Sequence, residues 1–293
     1  MKSLVFGPTG LIGYHLVNRL LNEGFEVTGV SRNDAKHSSD KYKHLQLDIA
    51  KKEDLEKISG DFDCVFNTAG YIHPGYSTED ALRSLLVNSL GTLYILEFMV
   101  KRKIKKLIHS SSVTVYGKPQ RLFVKETSPT NPIIVYGVSK LAAEHFCNMY
   151  SRVHELDITV LRYCPVYGYG LNQRTALPLF IEKALKNEEI TLYGNGMRSQ
   201  DYVYVDDVIE ANLLAAGKKV KGIFNIGSGI KVTMKELAET IVDVLDSKSK
   251  IKFDPTKQQE FSIGIDIEKA KKILGYSPQY NLRRGLEKFK ETL

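Results

Sequence analysis

Cysteine is scarce in this chain. Its three residues, Cys64, Cys147 and Cys164, are an odd number with no CxxC spacing. Such a set builds neither a disulfide framework nor a zinc site, and it points to a reducing interior. Long apolar runs are lacking too: unbroken stretches such as Leu213–Ala216 fall far short of the roughly 20 residues a bilayer demands. No segment repeats at a fixed period, and none is of low complexity. None of the seven histidines has metal-ligand spacing, and no HExxH motif occurs, so no metal is expected. Neither sign of charge dominates, since 41 Lys and Arg against 34 Asp and Glu leave only +7. These absences argue against a disulfide miniprotein and a membrane partner. The start of the chain reads as a strand running into a glycine turn rather than a signal peptide, and a cytoplasmic location is expected.

What is present has the composition of a globular protein, 43% apolar and 26% charged over 293 residues, enough for one large domain or two. Short β-rich runs at Ser3–Phe6, Glu26–Ser31, His44–Ile49, Cys64–Thr68, Lys106–Ser110 and Ile158–Arg162 alternate with segments of helical spacing. Leu11–Leu21, Ala81–Met99 and Ser139–Val153 are the clearest helices. This alternation calls for an α/β fold, a doubly wound parallel sheet of Rossmann type. Its carboxyl strand ends lie along one edge, where ligands bind. The rhythm breaks near residue 165. Beyond it come a helix from Asp206 to about Gly217, a strand at Gly222–Ile226, and helices near Thr233–Leu245, Asp266–Leu274 and Arg284–Leu293. The basic run Lys101–Lys106 follows a helix whose negative dipole end it complements. No aromatic residues alternate with it, so nucleic acid is not an expected partner.

The segment Gly7-Pro-Thr9-Gly10-Leu11-Ile12-Gly13 follows the first strand and opens the first helix, the context that makes a glycine pattern informative. Gly7 permits the tight turn, Gly10 lets N–H groups approach a pyrophosphate, and Gly13 lets helix and strand pack closely. With Thr9, Leu11 and Ile12 they form the expected dinucleotide cradle at a helix N-terminus. About 20 residues further on, a carboxylate would bind the ribose hydroxyls of NAD. This chain has Ser31 and Arg32 there. Arg32 would pair with a 2′-phosphate and Ser31 donate to it, tilting the expected cofactor from NAD toward NADP. Arg32 stacked on adenine or facing solvent is the plainer alternative. Asp48-Ile49 would recognise the adenine amino group, or Asp48 serves as a loop cap. Residues 1–165 are accordingly read as a dinucleotide-binding domain that 203–227 rejoins. Residues 166–202 and 228–293 form a smaller C-terminal α/β substrate domain.

At Tyr136-Gly-Val-Ser-Lys140 a spacing of four puts phenol and ammonium on one helix face, about 5–6 Å apart at the β-carbons. A free phenol, with a pKa of about 10, is a poor base at neutral pH, and a nearby cation lowers that value. Alone the pattern is a common exposed helix pair. Upstream, Ser110-Ser111-Ser112-Val-Thr-Val-Tyr116-Gly117 ends an apolar strand in hydroxyls, each of which taken singly looks like turn chemistry.

Together with Val87-Asn88-Ser-Leu-Gly-Thr92, Tyr193-Gly-Asn-Gly, Asp201-Tyr-Val-Tyr-Val-Asp-Asp207 and Phe224-Asn-Ile-Gly-Ser228, these motifs span almost the whole chain. The set resembles the extended short-chain dehydrogenase/reductase family, in its NAD-dependent epimerase/dehydratase branch. The resemblance implies that Tyr136 is the catalytic acid/base and Lys140 its electrostatic partner at the nicotinamide ribose. It makes Ser112 the hydroxyl that bonds the substrate oxygen. It places Thr68, Ala69, Gly70, Asn88, Tyr163 and Ser110 or Ser111 at the cofactor, and leaves Asp206-Asp207 as a helix N-cap. A homodimer through Ala81–Met99 and Ser139–Val153 is a further family expectation.

The chain also departs from the family pattern. Members that dehydrate hexoses carry an Asp-Glu pair where Val113-Thr114 stand here. Nucleotide-sugar epimerases carry a diphosphate-clamping Arg just before Asp201; here it is Gln200, with Arg198 two positions earlier. A second Arg is missing before Asp266, where Lys257 is the only cation of 254–260, and Cys164-Pro165 replaces an Asn. Arg174, Arg198, Gln200 and Lys257 are therefore candidate substrate contacts. The leading expectation is an NAD(P)-dependent epimerase of a nucleotide-activated sugar, working through transient oxidation to a keto intermediate. An NADPH-dependent ketoreductase of a sugar or other small carbonyl substrate is the alternative. A non-catalytic dinucleotide sensor is a third, against which intact Ser112, Tyr136 and Lys140 argue.

Overall fold

Strand residues buried on both faces set the architecture. Cys64–Asn67 is buried throughout, and so is Asp157–Tyr163 apart from its first residue, as parallel strands between two helical layers require. The computed structural model describes residues 1–293 except 36, 73–76, 122, 172–174 and 257–260. Its central sheet has seven parallel strands: Lys2–Phe6, Glu26–Ser31, Tyr42–Gln46, Cys64–Asn67, Lys106–Ser112, Asp157–Tyr163 and Gly222–Ile226. Numbered along the chain, they lie in the order seven-six-five-four-one-two-three. The direction of winding reverses between strands one and four, so the crevice for a ligand opens where Gly7 meets Thr68.

One face of the sheet packs on the Leu11–Asn22 and Val205–Gly217 helices, through Leu16, Val17, Leu20 and Val208. The other packs on Thr78–Lys101 and Val135–Val153, through Ile95, Leu96, Met99 and Cys147. By length and composition the 24-residue Thr78–Lys101 helix reaches what a membrane span needs, although its unbroken apolar runs are short. Half of its apolar window is buried inside the protein. Within it, Leu85–Leu90 forms a π-helical turn, a feature that concentrates at functional sites.

Several boundaries differ from the sequence reading. The third strand ends at Gln46 rather than Ile49 because the chain turns there, and Ile49 packs instead onto Gly91. The Val135–Val153 helix begins before Tyr136, bringing that residue onto the helix with Lys140. Asp206 and Asp207 lie in the first turn of the Val205–Gly217 helix, whose N-cap position is Tyr204. Asp207 accepts instead from the Gln279 and Tyr280 N–H groups, tying down the C-terminal segment. Residues beyond the sheet build short strand pairs, Ser199–Asp201 with Lys231–Thr233 and Ile190–Tyr193 with Ile251–Asp254. Helices Ala176–Leu185, Met234–Val244 and Leu282–Lys290 accompany them.

Candidate active site

The glycine turn shows which of its positions serve the protein and which face outward. Gly7 has φ +85° and donates to the Val30 carbonyl at 2.9 Å, a conformation that L side chains rarely adopt. A β-carbon on Gly13 would lie 1.9 Å from the Gly7 carbonyl oxygen, so only glycine fits where helix and turn cross. Gly10 differs: a β-carbon there would meet only the Gly7 oxygen, at an ordinary 3.6 Å. Thr9 and Gly10 are exposed, and no side chain caps the helix that starts at Leu11. The first N–H groups of that helix therefore suit a pyrophosphate, and a β-carbon at Gly10 would fill the cradle. Thr68 braces the turn from the fourth strand, its hydroxyl donating to the Phe6 carbonyl at 2.7 Å. Ala69 backs Gly7 closely, since a β-carbon on Gly7 would lie 2.7 Å from its nitrogen.

Along the same edge the strand ending in serines meets the Val135–Val153 helix. Lys140 is buried, and its ammonium donates to the Ser110 carbonyl at 2.9 Å. It stands 5.8 Å from the centre of the Tyr136 ring. Burial pulls its pKa down to about 8, so at neutral pH it remains mostly charged. Burial pushes the Tyr136 phenol up to about 12, opposed by the adjacent Ser112 hydroxyl. Ser112 caps the short turn Val113–Tyr116. Its oxygen accepts from the Thr114 N–H at 3.2 Å and the Thr114 hydroxyl at 3.0 Å. With Thr114 donating to its oxygen, the Ser112 hydroxyl has its hydrogen for the Tyr136 phenol beside it.

Asn88, in the π-helical turn, ties rather than reaches. Its amide donates to the Tyr71 carbonyl and the Ser139 hydroxyl, both at 2.9 Å, and accepts from the Tyr71 N–H at 2.7 Å. It thereby fixes the loop after the fourth strand against the Val135–Val153 helix, close to Gly70 and Lys140.

Other expected contacts are placed differently. The Ser111 hydroxyl turns inward to Glu144, away from the cofactor edge, because Ser111 shares a sheet face with that helix. Tyr163 also turns inward: its hydroxyl accepts from Asn212 at 2.9 Å and from Ser110 at 3.4 Å, so it supports Ser110 from below. The Ser31 hydroxyl donates to the Asn33 carbonyl, and Arg32 is exposed. Asp48 caps its own loop, accepting from the Ala50 N–H at 3.0 Å, while Ile49 is core. Arg198 donates to the Gln200 side chain at 3.0 Å, so the cation lost at position 200 stands beside it. Cys164 is buried next to Asp201, and burial drives its thiol well up. Arg174 and Lys257 lie outside the described residues. Among the described residues no group of three His, Cys, Asp or Glu gathers to hold a metal.

Sequence reasoning missed three functional supports. Thr114, which orients Ser112, and the π-helical turn carry no local signature. The buried Glu144–Arg162 pair did carry one: Arg162 sits inside the apolar run Ile158–Tyr163, and a charge there demands a buried partner.

Residues 3–227 match the family described as "NAD dependent epimerase/dehydratase family". The chain belongs to this family. It is 33% identical to a putative UDP-glucose 4-epimerase of Methanocaldococcus jannaschii, covering 97% of this chain and 96% of that one. The fold superposes on a UDP-glucose 4-epimerase of Thermotoga maritima bound to UDP-glucose, with a TM-score of 0.90 and 32% identity, covering 99% and 98% of the two chains. It is similar too to a UDP-glucuronic acid 4-epimerase of Bacillus cereus in complex with NAD, with a TM-score of 0.88 and 28% identity over 100% and 99%.

Proposed function

We propose that this protein is an NAD-dependent 4-epimerase of a nucleoside-diphosphate sugar, with UDP-glucose and UDP-galactose as its substrate pair. The observation that carries this reading is the meeting of Ser112, Tyr136 and Lys140 beside the glycine turn. It occurs in a chain similar along nearly all its length to UDP-sugar 4-epimerases.

When bound, the dinucleotide supplies reversible hydride uptake from a carbinol carbon and a positive charge near the phenol. The Gly7–Gly13 turn would hold its pyrophosphate, and Thr68–Gly70 with Lys140 its nicotinamide half. The proton work belongs to the chain's own residues. Ser112 donates to the sugar oxygen and holds it beside Tyr136. Tyr136 takes the proton of that hydroxyl as the carbon is oxidised and returns it when the ketone is reduced on its other face. Lys140 stabilises the phenolate that exists before the proton is taken and again after it is returned. With Val113-Thr114 after Ser112, the chain offers no carboxyl pair there to eliminate water.

Within this reading the cofactor is NAD. Solved relatives hold NAD, and the Ser31 hydroxyl is taken by a backbone carbonyl. The exposed apolar residues Leu82, Leu85 and Leu86 on one helix and Met149 and Val153 on the other fit a homodimer face. The buried free cysteines fit the cytoplasm.

NMR of UDP-galactose incubated with the protein and NAD provides the test. UDP-glucose should accumulate with no net change in nicotinamide absorbance. Consumption of reduced nicotinamide in proportion to product would replace the epimerase by a reductase.

A further inference from the structure

Beneath the reacting groups lies a charge that the proton transfers above leave unused. Glu144 stands one turn beyond Lys140 on the same helix and is 3% exposed. A carboxylate so deeply buried is costly unless its oxygens are bonded. They accept from Arg162 Nε at 2.9 Å and Nη2 at 2.6 Å, and one accepts also from Ser111 Oγ at 2.5 Å. Ser111 and Arg162 are register partners on the fifth and sixth sheet strands. One carboxylate thus fastens three elements at a single point. Ser111 lies between Ser110, whose carbonyl takes the Lys140 ammonium, and Ser112, which faces Tyr136. The link continues outward: the Arg162 guanidinium lies 4.7 Å over the Tyr116 ring, and Tyr116 donates to Asn225 on the last sheet strand.

Stability alone is a poor reason for such a pair, because buried ion pairs often do no better than apolar residues of equal volume. Its position is the informative part. We propose that Glu144 is a positioning residue for the epimerase reaction, holding the Ser110–Ser112 strand end and the Lys140 helix turn in one geometry through Ser111 and Arg162. The reaction named rests on the epimerase reading; the geometry rests on these bonds. The groups facing Lys140 are Tyr136, Glu144 and Cys147 from its own helix, His109 from the fifth strand and Asn88 from Thr78–Lys101, with Arg162 behind Glu144. Glu144 is the carboxylate among them, and it favours the ammonium against burial.

Two variants test the assignment. Glu144→Gln combined with Arg162→Met removes both charges together at nearly constant volume, so it should fold. Ser111→Ala cuts only the strand tie. With UDP-galactose as substrate, kcat should fall about 10–100-fold in the double variant and about tenfold in Ser111→Ala, with KM within about threefold. A second readout needs no turnover: NMR titration of protein labelled with ¹⁵N-lysine, assigned with Lys140→Met. The Lys140 midpoint should lie at about 8 in the parent, move to lower pH in the double variant, and stay in place in Ser111→Ala. A folded double variant with an unmoved midpoint, or either variant turning over as fast as the parent, overturns the proposal. If the parent does not epimerise UDP-galactose, the reaction reading falls, while the midpoint still decides whether Glu144 acts on Lys140.

Discussion

In the proposed reaction Tyr136 and Ser112 would divide the proton work according to what else they bond. Ser112 accepts from Thr114 and has its own hydrogen to donate, whereas the Tyr136 phenol is raised by burial and exchanges a proton only with help from a cation. Tyr136→Phe should therefore lower kcat by about 10²–10⁴-fold while calorimetry shows dinucleotide binding retained. An unchanged rate would remove Tyr136 from the chemistry. Lys140 gives a prediction of opposite signs for stability and activity. Its folded pKa of about 8 lies below the usual 10.5 because of burial, so at pH 7 the fold carries a charge it disfavours. Lys140→Met should keep or raise Tm at pH 7 yet abolish most turnover. Between pH 8 and 10.5 the unfolded chain binds the extra proton and the folded parent does not, so parent stability rises with pH there and the variant's advantage shrinks. Melting curves across that window decide the sign. At this scale Tyr136, Lys140 and Ser112 were legible from spacing and family pattern. The inward turn of Ser111 and Tyr163 was not, because which face a strand residue takes depends on register with its neighbours.

The glycine turn separates folding from binding within one element. Gly13→Ala forces a β-carbon onto the Gly7 carbonyl and should cost about 1–3 kcal/mol or more, read as a lower midpoint in urea. Gly10→Ala meets ordinary contact, so stability should hold while dinucleotide affinity falls by roughly tenfold. Equal affinities for the parent and Gly10→Ala would move the pyrophosphate away from this turn. Strands and long helices were legible because alternation and helical spacing follow burial directly. Their ends were less so: the third strand stops at Gln46, and Ile49 beyond it packs on Gly91, a tertiary contact that no local pattern encodes. The π-helical turn at Leu85–Leu90 lies in a helix whose composition reads as regular, and it carries Asn88 with its bonds to Tyr71 and Ser139.

At the scale of the whole molecule, the winding order of the sheet sets the glycine turn, the serine strand end and the Val135–Val153 helix along one edge. The small net charge read from composition fits this arrangement, with cations used singly inside the site at Lys140 and Arg162. The exposed apolar stripe is the other molecular feature. On the proposed homodimer, the parent should sediment as a dimer and the variant carrying Leu86→Glu and Met149→Glu as a folded monomer; a monomeric parent would remove the dimer, and an unchanged dimer would place its interface elsewhere. The central claim is transient oxidation at the epimerised carbon, and isotope tracing tests it most directly. UDP-galactose carrying deuterium at C4 should yield UDP-glucose that keeps the label at C4, with Tyr136→Phe forming it about 10²–10⁴-fold more slowly. Loss of the deuterium to solvent would contradict the account.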